Sequence, residues 1–140
     1  MDALMDSARS LGIEKRISFC GEVADVVPYL AAADVGVLAS MSEGFPNAIL
    51  EYMAAGLPVV STDVGGVAEL LGENGECGFR VPAGAPAAMA DRLVVLLGSP
   101  ELRLEMGARG RSRAKKIFGL NRMLGQYERL YQRLLGTEGA

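Results

Sequence analysis

Short apolar runs rich in Val and Ile alternate with segments of helical periodicity through the first 90 residues of the chain. The apolar runs predict β-strands at Arg16–Cys20, Asp34–Ala39, Pro58–Ser61 and Gly78–Val81. The segments between them predict helices at Ala24–Ala33, at about Asn47–Ala55 and around Val67–Leu71. Because strands that alternate with helices pair in parallel through right-handed crossovers, we predict an α/β fold in which helices flank a parallel sheet.

From Pro86 onward the sequence is predicted to be helical. Leucines and methionines at helical spacing predict one amphipathic helix after Pro86, and Pro100 opens the next. The cleanest apolar stripe is formed by Leu120, Met123, Leu124, Tyr127, Leu130, Tyr131 and Leu134. A chain of 140 residues is expected to form one core, so we predict a single domain over 1–140 with a helical extension over about 86–136.

The chain has no histidine and only two cysteines, Cys20 and Cys77. This composition excludes a zinc site and any Ser-His-Asp or Cys-His nucleophile built from this sequence. An Asp-x-Asp pair is also absent, so we expect no metal. Both cysteines are expected to be reduced, buried and inert. Carboxylates and backbone amides are the groups left to carry any chemistry.

Acidic residues outnumber basic ones over 1–100, and basic residues outnumber acidic ones over 101–140. The net charge of −3 makes no general case for a polyanionic partner, so nucleic acid is not expected. The apolar stretches are far shorter than the ~20 residues that span a bilayer, and a signal-peptide pattern is not found. We expect a cytoplasmic protein, and the basic tail leaves peripheral attachment to a membrane surface open.

The segment Ser42–Glu51 is the candidate site, because it follows a predicted buried strand and enters a helix. It therefore lies at the carboxyl edge of the sheet, where open α/β folds bind ligands. Gly44 permits close approach of a ligand, and the free amides at the helix start favour a phosphate. Glu43 and Glu51 can border one crevice and accept hydrogen bonds from sugar hydroxyls. Taken singly, each residue also fits an ordinary loop before a helix.

Glu43 and Glu51 have a Glu-x7-Glu spacing, and several longer segments accompany it. These are Ile17–Gly21, Leu30–Val35, Ser42–Pro46, Leu50–Val60 and Asp63–Glu69. Over about Gly12 to Ala90 the sequence resembles the retaining glycosyltransferases of the large GT-B group. A connected match of this length is more specific than a lone glycine motif. The resemblance implies the C-terminal, donor-binding half of a GT-B fold, with a partial Rossmann-like sheet.

The resemblance also implies roles for individual residues. Glu51 would hold the ribose hydroxyls of a nucleotide diphosphate sugar, and Glu43 would act on the donor sugar as the catalytic carboxylate. The sugar and diphosphate would be bound by the amides of Gly44, Phe45, Pro46, Asn47 and Ala48, and the base would lie near Gly21, Glu22 and Val23. Transfer would proceed with retention and without a metal or cofactor. In the implied front-face reaction the leaving diphosphate helps take the acceptor proton, so the enzyme mainly binds and stabilises that group.

The sequence departs from the family pattern in two ways. Pro46 and Asn47 stand where many members have Gly and a small apolar residue, which leaves donor choice open. We expect that this chain lacks the family's N-terminal acceptor domain and the first two strands of the donor domain, whose ends in the family carry the Arg and Lys that neutralise the diphosphate. We therefore expect a fragment that is inactive alone. Arg16–Cys20 and Asp34–Ala39 should then pair directly or drive self-association through their open edges.

Two alternative functions remain open at this point. The chain could be a non-catalytic module that binds a nucleotide or a sugar phosphate, which nucleotide affinity without turnover would support. The basic segment Arg103–Arg133 could bind RNA or an acidic membrane, which a salt-sensitive shift with RNA or anionic vesicles would support. A solvated helix face explains that segment better, because aromatic residues do not alternate with its basic residues.

Overall fold

The computed structural model describes residues 2–136, in which three short strands alternate with helices. In chain order the elements are α1 (Asp2–Ser10), a 3-10 turn (Glu14–Arg16), α2 (Val27–Ala32), β1 (Gly36–Leu38), α3 (Asn47–Ala55), β2 (Val59–Thr62), α4 (Val67–Leu71), β3 (Gly78–Val81), α5 (Pro86–Gly98), α6 (Pro100–Ile117) and α7 (Leu120–Leu134). The predicted α/β class is confirmed. Strand β3 and helices α3 and α4 have the predicted bounds.

The strands form one parallel sheet in the order β1-β2-β3. Val37 of β1 pairs with Val60 of β2, which pairs with Phe79 of β3. Helices α3 and α4 form the two crossovers that parallel pairing requires. Every residue of the central strand β2 is buried, as expected of a strand covered on both faces.

Apolar side chains pack on both faces of this sheet, because alternate residues of a strand point to opposite sides. One core cluster contains Val59 with residues of α3 and α4, among them Ile49 and Leu70. The other contains Val60 with Leu96 of α5 and Met106 of α6. The sheet is therefore a fixed platform between two helical layers, and its carboxyl edge carries the loops described below.

The strand predicted at Arg16–Cys20 is wrong. Arg16 ends the 3-10 turn, and residues 17–20 are exposed and belong to no sheet of residues 2–136. Ile17 has extended backbone angles, φ −117° and ψ 129°. A strand needs a hydrogen-bonded neighbour, and the expected direct pairing with β1 does not form, because the outer edge of β1 faces no other strand of residues 2–136.

The position of this segment also decides the state of the cysteines. Cys77 is buried in the core, whereas Cys20 is exposed, so the prediction that both are buried is wrong for Cys20. Burial raises the pKa of the Cys77 thiol above its ordinary value, and Arg113 partly offsets that shift. Neither cysteine takes part in a disulfide.

Helix α2 begins later than predicted, at Val27, and β1 is shorter than the predicted strand. The carboxylate of Asp25 accepts a hydrogen bond from the Val27 amide at 2.9 Å, and Pro28 occupies the first turn. Both features favour a helix start at this point rather than at Ala24.

The final helix, α7, contains no buried residue, and its predicted apolar stripe is exposed along the whole helix. By contrast, α5 and α6 bury Leu96 and Met106 against the sheet. Among the helices of residues 2–136, none combines the length and hydropathy needed to cross a membrane.

Candidate functional site

Two loops meet at the carboxyl edge of the sheet. One follows β1 and leads through residues 39–46 into α3, and the other follows β2 through residues 63–66 into α4. The Gly66 amide donates a hydrogen bond to the Gly44 carbonyl oxygen at 2.8 Å, which joins the two loops. The sheet thus holds the predicted segment Ser42–Glu51 at the edge where open α/β folds bind ligands.

The joint between the loops requires glycine at two positions. Gly65 has a left-handed φ of +53°, and a Cβ on it would overlap the Glu43 carbonyl oxygen and lie 2.8 Å from the Gly44 carbonyl oxygen. A Cβ on Gly66 would lie 3.2 Å from the Gly44 carbonyl oxygen and 2.9 Å from the Cδ2 atom of Phe45. Since main-chain atoms cannot swing away as a side chain can, the Gly65–Gly66 turn determines where Glu43 and Gly44 lie.

Glu43 is half-buried and held by a side-chain hydrogen bond. The Ser40 hydroxyl donates to its Oε1 atom at 2.6 Å. The Thr62 hydroxyl, at the end of β2, donates in turn to the Ser40 carbonyl oxygen at 2.6 Å. Sequence reasoning missed Ser40 and Thr62, although a polar residue directly after an apolar strand run was the available signal.

Gly44 faces open space, because a Cβ built on it would meet no protein atom within 4 Å. The next residues lead into α3, whose N-cap is the buried Pro46 and whose first turn has no side-chain cap. From the sequence, the amide of Pro46 is expected to bind the sugar and diphosphate. This expectation is wrong, because proline has no amide hydrogen to donate. The amides of Asn47 and Ala48 at the helix start can donate to a ligand, and a helix N-terminus favours an anion.

Glu51 is exposed on α3, at the edge of a cavity of about 360 Å³ between α2 and α3. The rest of the lining is apolar and consists of Val26, Val27, Leu30, Ala31, Ala54 and Ala55. An apolar cavity with one carboxylate can hold a flat, partly polar group and orient its hydroxyls. Beside it, burial raises the pKa of the Tyr52 hydroxyl, and the charge of Glu51 raises it further.

Gly21, Glu22 and Val23 lie in the loop before α2, where Gly21 and Glu22 are exposed and Val23 is half-buried. None of the three lines the cavity at Glu51. The structure therefore brings Glu43, Gly44 and the start of α3 together. It does not bring residues 21–23 into the cavity at Glu51.

Among residues 2–136, no three His, Cys, Asp or Glu side chains lie close enough together to hold a metal ion. Charge at this site is instead carried by Glu43, by Glu51 and by the amides at the start of α3.

Several arginines of the basic segment are used inside the chain. Arg113 donates to the carbonyl oxygens of Glu69 and Leu70, both at 2.8 Å. Arg103 donates to the Leu96 carbonyl oxygen at 2.8 Å, and Arg109 pairs with the Glu105 carboxylate. These contacts give a structural role to part of Arg103–Arg133, the basic segment for which RNA or membrane binding is the alternative function.

Comparison with known families and proteins gives matches along most of the chain. The profile of the glycosyl transferases group 1 family matches residues 1–99. N-acetyl-alpha-D-glucosaminyl L-malate synthase of Bacillus anthracis is 33% identical over 132 residues, which are 94% of this chain and 34% of that protein. The chain thus spans about a third of the length of this relative.

Two solved structures share the fold described above. The C-terminal domain of a group 1 family glycosyl transferase from Francisella tularensis superposes with a TM-score of 0.76 at 29% identity, over 85% of this chain and 62% of that one. Anabaena HepE in complex with UDP superposes with a TM-score of 0.89 at 26% identity, over 94% of this chain and 36% of that one.

Proposed function

This chain belongs to the glycosyl transferases group 1 family, and we propose that it is the donor-binding part of a retaining, metal-independent glycosyltransferase. Its donor substrate is a nucleoside diphosphate sugar. The observation that carries the proposal is the uncapped start of α3 beside the open space at Gly44, with Glu43 in the loop before it and Glu51 further along the same helix. A ligand that combines hydroxyls, phosphates and a sugar matches such an arrangement.

In this proposal each part of the donor has its own partner. The nucleoside enters the apolar cavity between α2 and α3, where Glu51 accepts hydrogen bonds from the ribose hydroxyls. The base extends toward residues 21–23. The uracil nucleotide bound to Anabaena HepE supports a uridine diphosphate sugar as the first donor to test.

The diphosphate and sugar lie at the start of α3. The amides of Asn47 and Ala48 donate to phosphate oxygens, and their partial positive charge stabilises the leaving diphosphate as the glycosidic bond breaks. Glu43 accepts from a hydroxyl of the donor sugar and holds the anomeric carbon in place. The acceptor oxygen attacks the anomeric carbon on the face from which the diphosphate leaves, and its proton passes to the departing phosphate oxygen. Because attack and departure occur on the same face, the anomeric configuration is retained.

The complete reaction also needs an acceptor-binding domain, which we propose as the partner of this chain. The outer edge of β1, which faces no other strand of residues 2–136, and the exposed stripe of α7 are the surfaces for that domain. Self-association of the isolated chain through the same surfaces, and its inactivity in sugar transfer, stay predictions.

Calorimetric titration of Glu51→Gln and Glu43→Gln with UDP and UDP-glucose tests the assignment of the two carboxylates. Glu51→Gln should weaken the binding of both ligands by ~1–3 kcal/mol, because a hydrogen bond to a charged acceptor is lost. Glu43→Gln should leave the affinity for UDP nearly unchanged and weaken only UDP-glucose, because its contact is with the sugar.

Glu101→Gln is the matched control, since this exposed carboxylate lies in the first turn of α6, outside the two loops at the carboxyl edge of the sheet. An equal loss of UDP affinity in Glu51→Gln and Glu43→Gln would refute the assignment. Tight UDP-glucose binding with no transfer in the enzyme that contains this chain would favour the non-catalytic binding module instead.

A further inference from the structure

Two hydroxyl groups in series connect the central strand of the sheet to the carboxylate of Glu43. Thr62, the last residue of β2, is only 3% exposed, and its Oγ1 donates to the Ser40 carbonyl oxygen at 2.6 Å. The Oγ of Ser40 donates to Oε1 of Glu43, also at 2.6 Å. The series therefore runs from a rigid buried strand, through the loop after β1, to a group at the candidate site.

The second bond restricts the carboxylate of Glu43. A short hydrogen bond to a charged acceptor is about twice as strong as one between neutral groups. It uses one acceptor position of Oε1, and the remaining positions on Oε1 and Oε2 stay open to a ligand. Without this bond a glutamate side chain rotates about three bonds, and fixing it on ligand binding would cost entropy.

The first bond restricts the loop that carries Ser40. A buried hydroxyl destabilises a protein unless it is hydrogen-bonded, so a valine at the end of β2 would serve the core as well. Among residues 2–136, the Ser40 carbonyl oxygen is the one hydrogen-bond partner of the Thr62 hydroxyl. This hydrogen bond therefore ties the loop that carries Ser40 and Glu43 to the buried strand β2.

We propose that Ser40 and Thr62 are positioning residues, which hold the Glu43 carboxylate in the orientation that accepts a hydroxyl of the donor sugar. The inference rests on the proposed function, because it requires Glu43 to contact the sugar. It adds that sugar-dependent steps, and not nucleotide binding, depend on two hydroxyls outside the Glu43–Glu51 segment.

The first test needs no ligand and uses the chain itself. NMR three-bond couplings should show one dominant side-chain rotamer of Glu43 in the parent protein and averaged rotamers in Ser40→Ala. Thr62→Val, which keeps the shape of the side chain, should also increase averaging, and Thr62→Ser should restore the single rotamer. Ser112→Ala is the matched control, because Ser112 is an exposed serine of α6 outside the candidate site.

The second test measures transfer from UDP-glucose in the enzyme that contains this chain. Ser40→Ala should lower kcat about tenfold with an unchanged Kd for UDP, since the lost bond orients the sugar-binding carboxylate. In a Glu43→Gln background, Ser40→Ala should have little further effect, because both changes remove the same interaction.

The outcomes separate the two proposals. If Glu43→Gln lowers kcat while Ser40→Ala leaves both kcat and the Glu43 rotamer unchanged, the positioning role is refuted and the proposed function stands. The same conclusion follows if Ser40→Ala lowers kcat equally in the parent and Glu43→Gln backgrounds. A parent-like kcat for Glu43→Gln would refute the role of Glu43 itself, and the positioning role with it.

Discussion

Replacing Gly65 by alanine should perturb the joint between the two loops at the carboxyl edge. Gly65 has a φ of +53°, and a Cβ there would overlap the main chain of Glu43 and approach that of Gly44. The obstructing atoms are carbonyl oxygens of the backbone, so relief requires the loop itself to move. The hydrogen bond from the Gly66 amide to the Gly44 carbonyl oxygen resists that movement.

The magnitude follows from two separate costs. A left-handed backbone costs a residue with a Cβ roughly 1–2 kcal/mol relative to glycine. Forcing an extra carbon into a packed site costs typically about 1–3 kcal/mol more. Gly65→Ala should therefore lower the free energy of unfolding by ~2–5 kcal/mol.

Gly84→Ala supplies the matched control. Gly84 has a similar φ of +73°, and a Cβ on it would meet no atom within 4 Å. Only the backbone cost applies, so the expected loss is ~1–2 kcal/mol. The difference between Gly65→Ala and Gly84→Ala isolates the contact with the Glu43 main chain.

Urea denaturation followed by circular dichroism measures both variants, and an unchanged slope shows that the extent of unfolding is the same. Gly65→Ala should also weaken the binding of UDP-glucose, because the Glu43 and Gly44 carbonyls shift. Equal destabilisation of the two variants, with normal UDP-glucose binding in both, would refute the reasoning about the joint.

Four further predictions concern other positions of the chain. Gly44→Val should change the free energy of unfolding by less than ~0.5 kcal/mol, because a Cβ there meets open space, yet abolish UDP-glucose binding in a titration; normal binding would place the phosphate site elsewhere. Arg113→Met should lower the unfolding free energy by ~1–3 kcal/mol through the loss of two hydrogen bonds to α4, whereas Arg109→Met should change it little, and similar losses would contradict this. Because the folded-state pKa of Cys77 is raised, the stability it contributes is present below the ordinary thiol pKa of ~8.5 and is lost as pH rises through the raised value; Cys77→Ala should remove that alkaline loss, which pH-dependent urea titrations measure. A thiol reagent should also label Cys20 at once and Cys77 only on unfolding, and rapid labelling of both would contradict the burial of Cys77.

Local sequence signals were sufficient for much of the fold. Helix α3 ends where Gly56 and Pro58 interrupt the helical pattern, and β3 lies where an apolar run is bounded by Gly78 and Pro82. These signals act through the backbone conformations that glycine and proline allow, which do not depend on distant residues. The Glu43–Glu51 spacing likewise predicts the candidate site from the sequence alone.

Tertiary structure decided the features that depend on a neighbour distant in sequence. Residues 17–20 have a strand-like sequence, but they form no strand because no other strand of residues 2–136 pairs with them. Exposure of Cys20 follows from the same fact, since the segment lies outside the core. A periodic pattern predicts which face of a segment is apolar, and it does not predict whether a partner covers that face.

The site shows the same division. The sequence by itself determined that two glutamates flank a glycine before a helix, because residue types and spacing suffice for that. Only the folded chain placed Thr62 against the loop of Ser40, 22 residues earlier, and Gly65 against the Glu43 main chain. Contacts of this kind arise because parallel strands bring their carboxyl ends to one edge, so loops that are far apart in sequence become neighbours in space.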